Sequence, residues 1–315
     1  LSFIFFCHLL SFIRFSLFYQ KIMDTKMSDQ FITITKISYK RIKMQEKIDR
    51  IKKIISEADA IIITAGAGMG VDSGLPDFRG DLGFWRAYPL LRDRNLSFED
   101  MANPQWFLDD PKLAWAFYGH RLNLYKNTEP HEGFRLLLDL VKNKNENYFV
   151  YTSNVDGHFA KAGFSEEKIY ECHGSIHYSQ CIHKRDGAIW QTCSDIKVDE
   201  EKFVALDMPV CPECGCVSRP NIVMFYDWMV NTRRINEQYR RYEAWLEQNK
   251  DSRFVIIELG AGLAVPTIRN FGEKFVKRSK KATLIRINPR DNYISEYIGI
   301  SLKCGALDGL RQILC

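Results

Sequence analysis

No apolar stretch of this 315-residue sequence runs uninterrupted for the roughly 20 residues that a membrane-spanning helix needs. The most apolar segment, residues 1–19 (LSFIFFCHLLSFIRFSLFY), is broken by His8 and by Arg14 near its centre. It also has neither the basic leading region nor the small-residue cleavage site of a signal peptide. Residues 1–45 are therefore read as a leader outside the folded body, a targeting or anchoring segment being the alternative. Repeats and low-complexity tracts are missing as well. With 46% apolar and 26% charged residues, the composition excludes a disordered or collagen-like chain. A basic body is the third absence. Residues 1–55 hold 11 Lys/Arg against 4 Asp/Glu, whereas the rest holds 33 against 35, so the overall charge of +5 belongs to the leader. Bulk charge thus gives no reason to expect direct nucleic-acid binding.

Cysteine is present in an odd number, nine, and five of the nine fall between Cys181 and Cys216. Disulfide frameworks belong to short secreted chains, so clustering in a chain of this length points to an intracellular, reducing compartment and a metal site. Around that cluster the hydrophobic period is clear. Residues 47–58 (KIDRIKKIISEA) place Ile48, Ile51, Ile54 and Ile55 at helical spacing. Residues 60–64 are a β-branched run that stops at glycines, and buried strands are likewise expected at 148–152, 254–259 and 283–287. Helical patterns lie at 111–126, 131–144, 231–249 and 265–280. Strands alternating with helices imply a doubly wound parallel, Rossmann-like α/β sheet, whose ligands bind beyond the carboxyl ends of the strands. The expected domain organisation is a Rossmann-like domain from 46–171 and 226–305, interrupted at 172–225 by a small zinc-knuckle module, with a tail at 306–315.

One absence is decisive for the chemistry. The turn Gly66-Ala67-Gly68-Met69-Gly70 comes directly after a buried strand, where a phosphate-binding turn belongs. Yet the sixth position of the dinucleotide fingerprint is Val71, and no strand ends in an acidic residue about twenty positions on. A hydride-transfer dehydrogenase is disfavoured. The turn runs instead into a loop with Pro76, two carboxylates, Phe78 and Arg79. The whole segment GAGMGVDSGLPDFRG resembles the sirtuin (Sir2-like) signature. TSNVD with a histidine after it (152–158), His173-Gly174 and CPEC running into RPNIVMF (211–225) occur in the family's order.

That resemblance implies a site and a reaction. Gly66, Ala67 and Gly68 would offer backbone N–H groups to the NAD pyrophosphate. Asp77, Phe78 and Arg79 match the cofactor loop, and Gly260, Ala261, Gly262 and Asn288 stand where sirtuins hold the adenosine half of NAD. Asp156 would hold the nicotinamide carboxamide, with Asn154 and Ser153 near the ribose; Ser153 replaces the family's usual Gln, and Gly70 its usual Ser. His173 is the expected general base, an imidazole being able to take a proton at neutral pH. The implied activity is NAD-dependent removal of acyl groups from protein lysine, the acyl group passing to ADP-ribose as nicotinamide leaves. NAD hydrolysis or ADP-ribosyl transfer, and a non-catalytic NAD- or zinc-binding module, are the alternatives.

Two finer expectations complete the reading. Cys211-Pro-Glu-Cys214 is half of a Zn²⁺ knuckle, and Cys181 is in place for the other half. Position 184 is Lys, so the second pair is broken; Cys193, His183 and Cys216 are candidate fourth ligands, with Cys193 ranked first. Tyr118 and Arg121 lie at i and i+3 on one helix face. They resemble the pair with which some sirtuins read malonyl, succinyl or glutaryl groups, the alternative being an exposed helix face with a packed tyrosine. The expected partner is an acylated protein lysine, with no membrane unless the leader provides one and with the oligomeric state open.

Overall fold

The β-branched run at residues 60–64 becomes the middle of the sheet. The computed structural model describes Tyr39, residues 41–76 and residues 80–315. The leader through residue 38 and the expected cofactor residues Asp77, Phe78 and Arg79 lie outside the described residues. The chain divides after Arg50, and the described part of Leu1–Arg50, namely Tyr39 and 41–50, is helical. The remaining elements belong to Ile51–Cys315. In chain order the strands are β1 (Ala60–Ala65), β2 (Tyr148–Thr152), β3 (Ile169–Glu171), β4 (Gly174–Cys181), β5 (Ile189–Gln191), β6 (Val198–Asp199), β7 (Val204–Ala205), β8 (Ser218–Ile222), β9 (Phe254–Leu259), β10 (Ala282–Ile287) and β11 (Gly299–Leu302). Helices begin with α1 (residues 51–57), α2 (Gly80–Ala87), α3 (Pro89–Asp93), α4 (Phe98–Met101), α5 (Trp106–Asp109) and α6 (Pro111–Asn127). They continue with α7 (Glu132–Lys142), α8 (His158–Lys161), α9 (Arg233–Gln248), α10 (Thr267–Arg278) and α11 (Ala306–Leu314).

Six strands pair in parallel in the order β11-β10-β9-β1-β2-β3. Side-chain alternation supplies both faces. β1 sends Ile61, Ile63 and Ala65 into one core with Phe134, Leu137 and Val141 of α7 and Leu310 and Ile313 of α11. It sends Ala60 and Ile62 into the opposite core with Ile235, Tyr242 and Trp245 of α9. Each fully buried aliphatic or aromatic side chain of this kind stabilises by about 1.5–3 kcal/mol. The sheet is therefore doubly wound, as expected. β3 and β11 add short edge strands that the hydrophobic pattern does not announce. The strand order reverses between β1 and β9, so the crevice beyond their carboxyl ends is the topological switch point.

The second architecture is antiparallel. β4 lies between β5 and β8, and β6 pairs with β7. Ile176, Ile182, Ile196, Phe203 and Met224 from this region pack in one core with Phe84, Tyr88, Phe107, Trp115 and Phe117 from α2–α6. The segment 172–225 thus shares its core with helices well before it in the chain. Among the described residues, no helix is long and apolar enough to cross a membrane.

Candidate active site

The site starts where β1 and β9 end. Gly260 has φ +60°, and a Cβ there would lie 2.3 Å from the Gly68 carbonyl carbon. A Cβ on Gly66 would lie 2.9 Å from the Ala261 Cα. Only glycine lets the two loops meet backbone to backbone. The Gly66 N–H donates to the Leu259 carbonyl and the Gly68 N–H to the Gly260 carbonyl, each at 3.0 Å. This corrects the expectation that both N–H groups face a pyrophosphate: they are spent in joining the loops. Gly66, Ala67, Ala261 and Gly262 nevertheless line the adjoining cavity, a space of about 690 Å³. Asn288 is not part of that wall. Fully buried, it donates from Nδ2 to the Ala261 carbonyl (2.8 Å) and accepts from the Arg290 and Asp291 N–H groups, bracing the 260–262 loop from behind.

The end of β2 is stapled to the end of β1. The Thr152 hydroxyl donates to the Ala65 carbonyl (3.0 Å) and accepts from the Asn154 N–H (3.0 Å), while the Ser153 N–H also reaches Ala65 (3.1 Å). The chain therefore turns sharply and delivers Ser153, Asn154 and Asp156 to the cavity wall. Asn154 and Asp156 are both buried. One Asp156 carboxylate oxygen accepts from the His158 N–H (3.0 Å), and its carbonyl lies 2.8 Å from His177 Nε2. His173 comes just after the edge strand β3 and completes the same wall. Its carbonyl accepts from the Val223 N–H (2.9 Å), and its Nε2 lies 3.4 Å from the Thr267 hydroxyl at the start of α10. Burial pushes the His173 pKa below the usual 6.5, a hydrogen bond to the Ser153 backbone opposing it. The ring is then neutral at neutral pH and able to accept a proton.

Helix α6 closes the opposite side. Tyr118 and Arg121 are both buried in the cavity wall, so the exposed helix face considered as an alternative is not what the structure has. Arg121 donates from Nε and Nη2 to the Tyr125 hydroxyl (3.1 and 2.9 Å) and lies against the rings of Phe98 and Phe117. The Tyr118 hydroxyl has no hydrogen-bond partner among the described residues, and burial raises its pKa to about 12. Tyr125 is absent from the residues that the sequence singles out, although its i+4 spacing from Arg121 places it on the same face. Met224 and Phe225, noted only as part of the RPNIVMF run, supply apolar wall.

The thiol groups of Cys181, Cys211 and Cys214 lie within 4.8 Å of one another, with Cys181 and Cys214 Sγ atoms 3.7 Å apart. The Cys216 N–H, then the Cys211 thiol, lowers the Cys214 pKa to about 7; burial raises that of Cys181. Three close thiols of this kind suit a soft, tetrahedral Zn²⁺. Cys193, ranked first as the fourth ligand, is corrected. It is exposed outside the cluster, its Sγ 3.7 Å from the Gln191 carbonyl. The loop after β5 is drawn away towards α6, where Lys126 Nζ binds the Cys193 carbonyl (3.0 Å) and Asn123 binds Ile196. Lys184 instead forms an ion pair with Glu213 (3.2 Å).

Comparison with known proteins agrees with this geometry. An NAD-dependent protein deacylase of Aquifex aeolicus is 26% identical over 253 residues, covering 80% of this chain and 93% of that protein. One from Leptospira interrogans is 28% identical over 263 residues, covering 82% and 92%. The crystal structure of a Sir2 homologue–NAD complex superposes with a TM-score of 0.64 at 23% identity, covering 84% of this chain and 92% of that one, and so shares the fold. The family model described as Sir2 matches residues 66–267, more than half of the sequence. The chain belongs to the Sir2 family.

Proposed function

We propose that this protein is an NAD-dependent protein-lysine deacylase. The observation that carries the reading is a single cavity at the strand-order switch point, walled by Gly66 and Ala67, Ala261 and Gly262, Asn154, Asp156 and His173. NAD, when bound, supplies an electrophilic ribose carbon from which nicotinamide can depart. Asp156 would hold the carboxamide and Asn154 would contact the ribose. The neutral His173 ring takes the proton of a ribose hydroxyl, which frees that oxygen to receive the acyl group. Ala67 and the close-packed loop backbones shape the phosphate side, while Asp77, Phe78 and Arg79 are assigned to the cofactor by family resemblance. Zn²⁺ would be held by Cys181, Cys211 and Cys214 away from the cavity, with a structural role. The division into a Rossmann-like domain and a zinc module at 172–225 belongs to the same proposal, as does an acylated protein lysine as partner.

The deciding experiment measures NAD consumption with and without acylated peptides. Peptide-dependent release of nicotinamide supports deacylation; release without peptide would favour NAD hydrolysis instead. His173→Ala should lower turnover by about 10²–10⁴-fold while NAD binding stays measurable. Because the folded pKa is depressed, wild-type kcat/KM should stay level down to the usual imidazole range and fall only below pH 6.5. An acid limb above that point would contradict a buried base.

A carboxylate-bearing acyl group is favoured by one specific observation: Arg121 and the Tyr118 hydroxyl, unpartnered among the described residues, lie buried in the same cavity. Arg121→Met should then reduce succinyl-peptide turnover far more than acetyl-peptide turnover. An equal loss on both would remove this specificity.

A further inference from the structure

The glycine-bearing turn Ala67–Ser73 is held from behind by a histidine that the catalytic reading does not use. His131 is the N-cap of α7, and its Nδ1 lies 2.9 Å from the Gly133 nitrogen. A backbone N–H can only donate, so Nδ1 must be the unprotonated acceptor. Its Nε2 lies 3.0 Å from the Met69 carbonyl, which can only accept, so Nε2 carries the proton. The two partners together determine the tautomer. The His131 N–H also donates to the Ser73 hydroxyl (3.0 Å). Residue 133 has to be glycine for this clamp, because a Cβ there would lie 2.5 Å from the His131 ring.

We propose that His131 is a positioning residue for the cofactor turn, bridging the Met69 carbonyl and the Gly133 N–H, a two-ended clamp that only its neutral, Nε2-protonated form can make. The proposal rests on the reading that the turn holds NAD. Met69 is fully buried, and its neighbours Ala67 and Gly66 line the cavity, so movement of the turn moves the cavity wall. A proton added to Nδ1 removes the acceptor that Gly133 uses and sets two N–H groups against each other, which breaks the α7 cap and frees the ring from α7, although Nε2–H can still donate to Met69. The groups facing the ring are Asp72 from the turn, His158 from α8 and Arg311 from α11. Burial dominates, His158 and Arg311 reinforce it, and Asp72 with the Met69 carbonyl opposes it, so protonation occurs below the usual 6.5. The clamp is therefore intact at neutral pH and loses its α7 anchor as pH falls through that lowered value.

Two isosteres separate its halves. In His131→Asn the Oδ1 can replace Nδ1 as the cap but nothing reaches Met69. In His131→Gln the amide can donate to Met69 but the cap is lost. NAD binding to the full-length chain is measured by titration calorimetry at pH 7.5 and pH 5.5, alongside thermal melting. At pH 7.5 His131→Asn should bind NAD about 3–10-fold more weakly than wild type, the loss of one hydrogen bond, while melting near the wild-type temperature. His131→Gln should melt lower, bind NAD within about twofold of wild type, and lose the part of the acid weakening that wild type shows. Wild-type affinity in both variants at pH 7.5, or an unchanged acid profile in His131→Gln, overturns the clamp. A wild-type chain that binds no NAD at all overturns the cofactor reading itself, and the clamp with it.

Discussion

The two halves of the cavity wall are built on cores of different chemistry. Behind the glycine loops stand Ile61, Ile63, Val255, Ile257, Ile285 and Ile287, aliphatic side chains presented by alternation along parallel strands. Behind Tyr118 and Arg121 stand Phe84, Tyr88, Phe107, Trp115 and Phe117, aromatic side chains drawn from helices and packed with a distant antiparallel segment. Aliphatic side chains carry no polar atoms, so the sheet half shapes its wall by close backbone contact, braced from outside that core by Thr152, Asn288 and His131. The aromatic half does so through polar handles: Trp115 donates to the Ser218 carbonyl (2.8 Å), Tyr88 lies 3.1 Å from His120, and Arg121 meets Tyr125. Burial accordingly raises the Tyr88 and Tyr125 pKa values, keeping both hydroxyls neutral. One wall is thus intolerant of added atoms, whereas the other is intolerant of lost ones.

Substitutions that add or remove atoms test this contrast. The largest effect is expected from Gly260→Ala, whose single methyl meets the Gly68–Met69 backbone and sits at a left-handed φ. It should destabilise by roughly 3 kcal/mol or more and abolish NAD binding; a soluble variant with wild-type melting would break the comparison. Trp115→Ala should cost about 3–5 kcal/mol, because it leaves a cavity and an unpaired Ser218 carbonyl. Ile257→Val, a smaller deletion in the aliphatic core behind the glycine loops, should cost only about 0.5–1.5 kcal/mol. Chemical denaturation of both variants ranks them, and a reversed order would refute the distinction. In the knuckle, Cys211→Ser should remove bound zinc while Cys193→Ser leaves the metal content unchanged; metal analysis of the purified proteins decides. The smallest change is expected for Cys193, since its Sγ lies outside the thiol cluster.

The central strands are legible because a parallel strand covered on both faces must be apolar at every position, as in AIIITA and FVIIEL. β3 and β11 are not, being short edge strands with glycine or glutamate in them. His173, Asn154 and Asp156 are legible through their order in the chain, and the fold brings them to one wall. The roles of Gly66, Gly68 and Asn288 differ from the expectation, because only tertiary contact shows that two N–H groups are consumed by β9 and the loop after it, and that Asn288 braces rather than faces the cavity. Cys193 departs from its expected place because spacing along a chain does not reveal where a loop is tied.

The amino-acid sequence by itself determined the doubly wound sheet, the family and the residues available for chemistry, since each comes from local period or local order. Tertiary structure alone decided that residues 84–125 and 176–224 share one aromatic core, that three cysteines converge without Cys193, and that His131 grips the turn. Those outcomes depend on contacts between segments separated by tens of residues, which the local pattern of a chain does not encode.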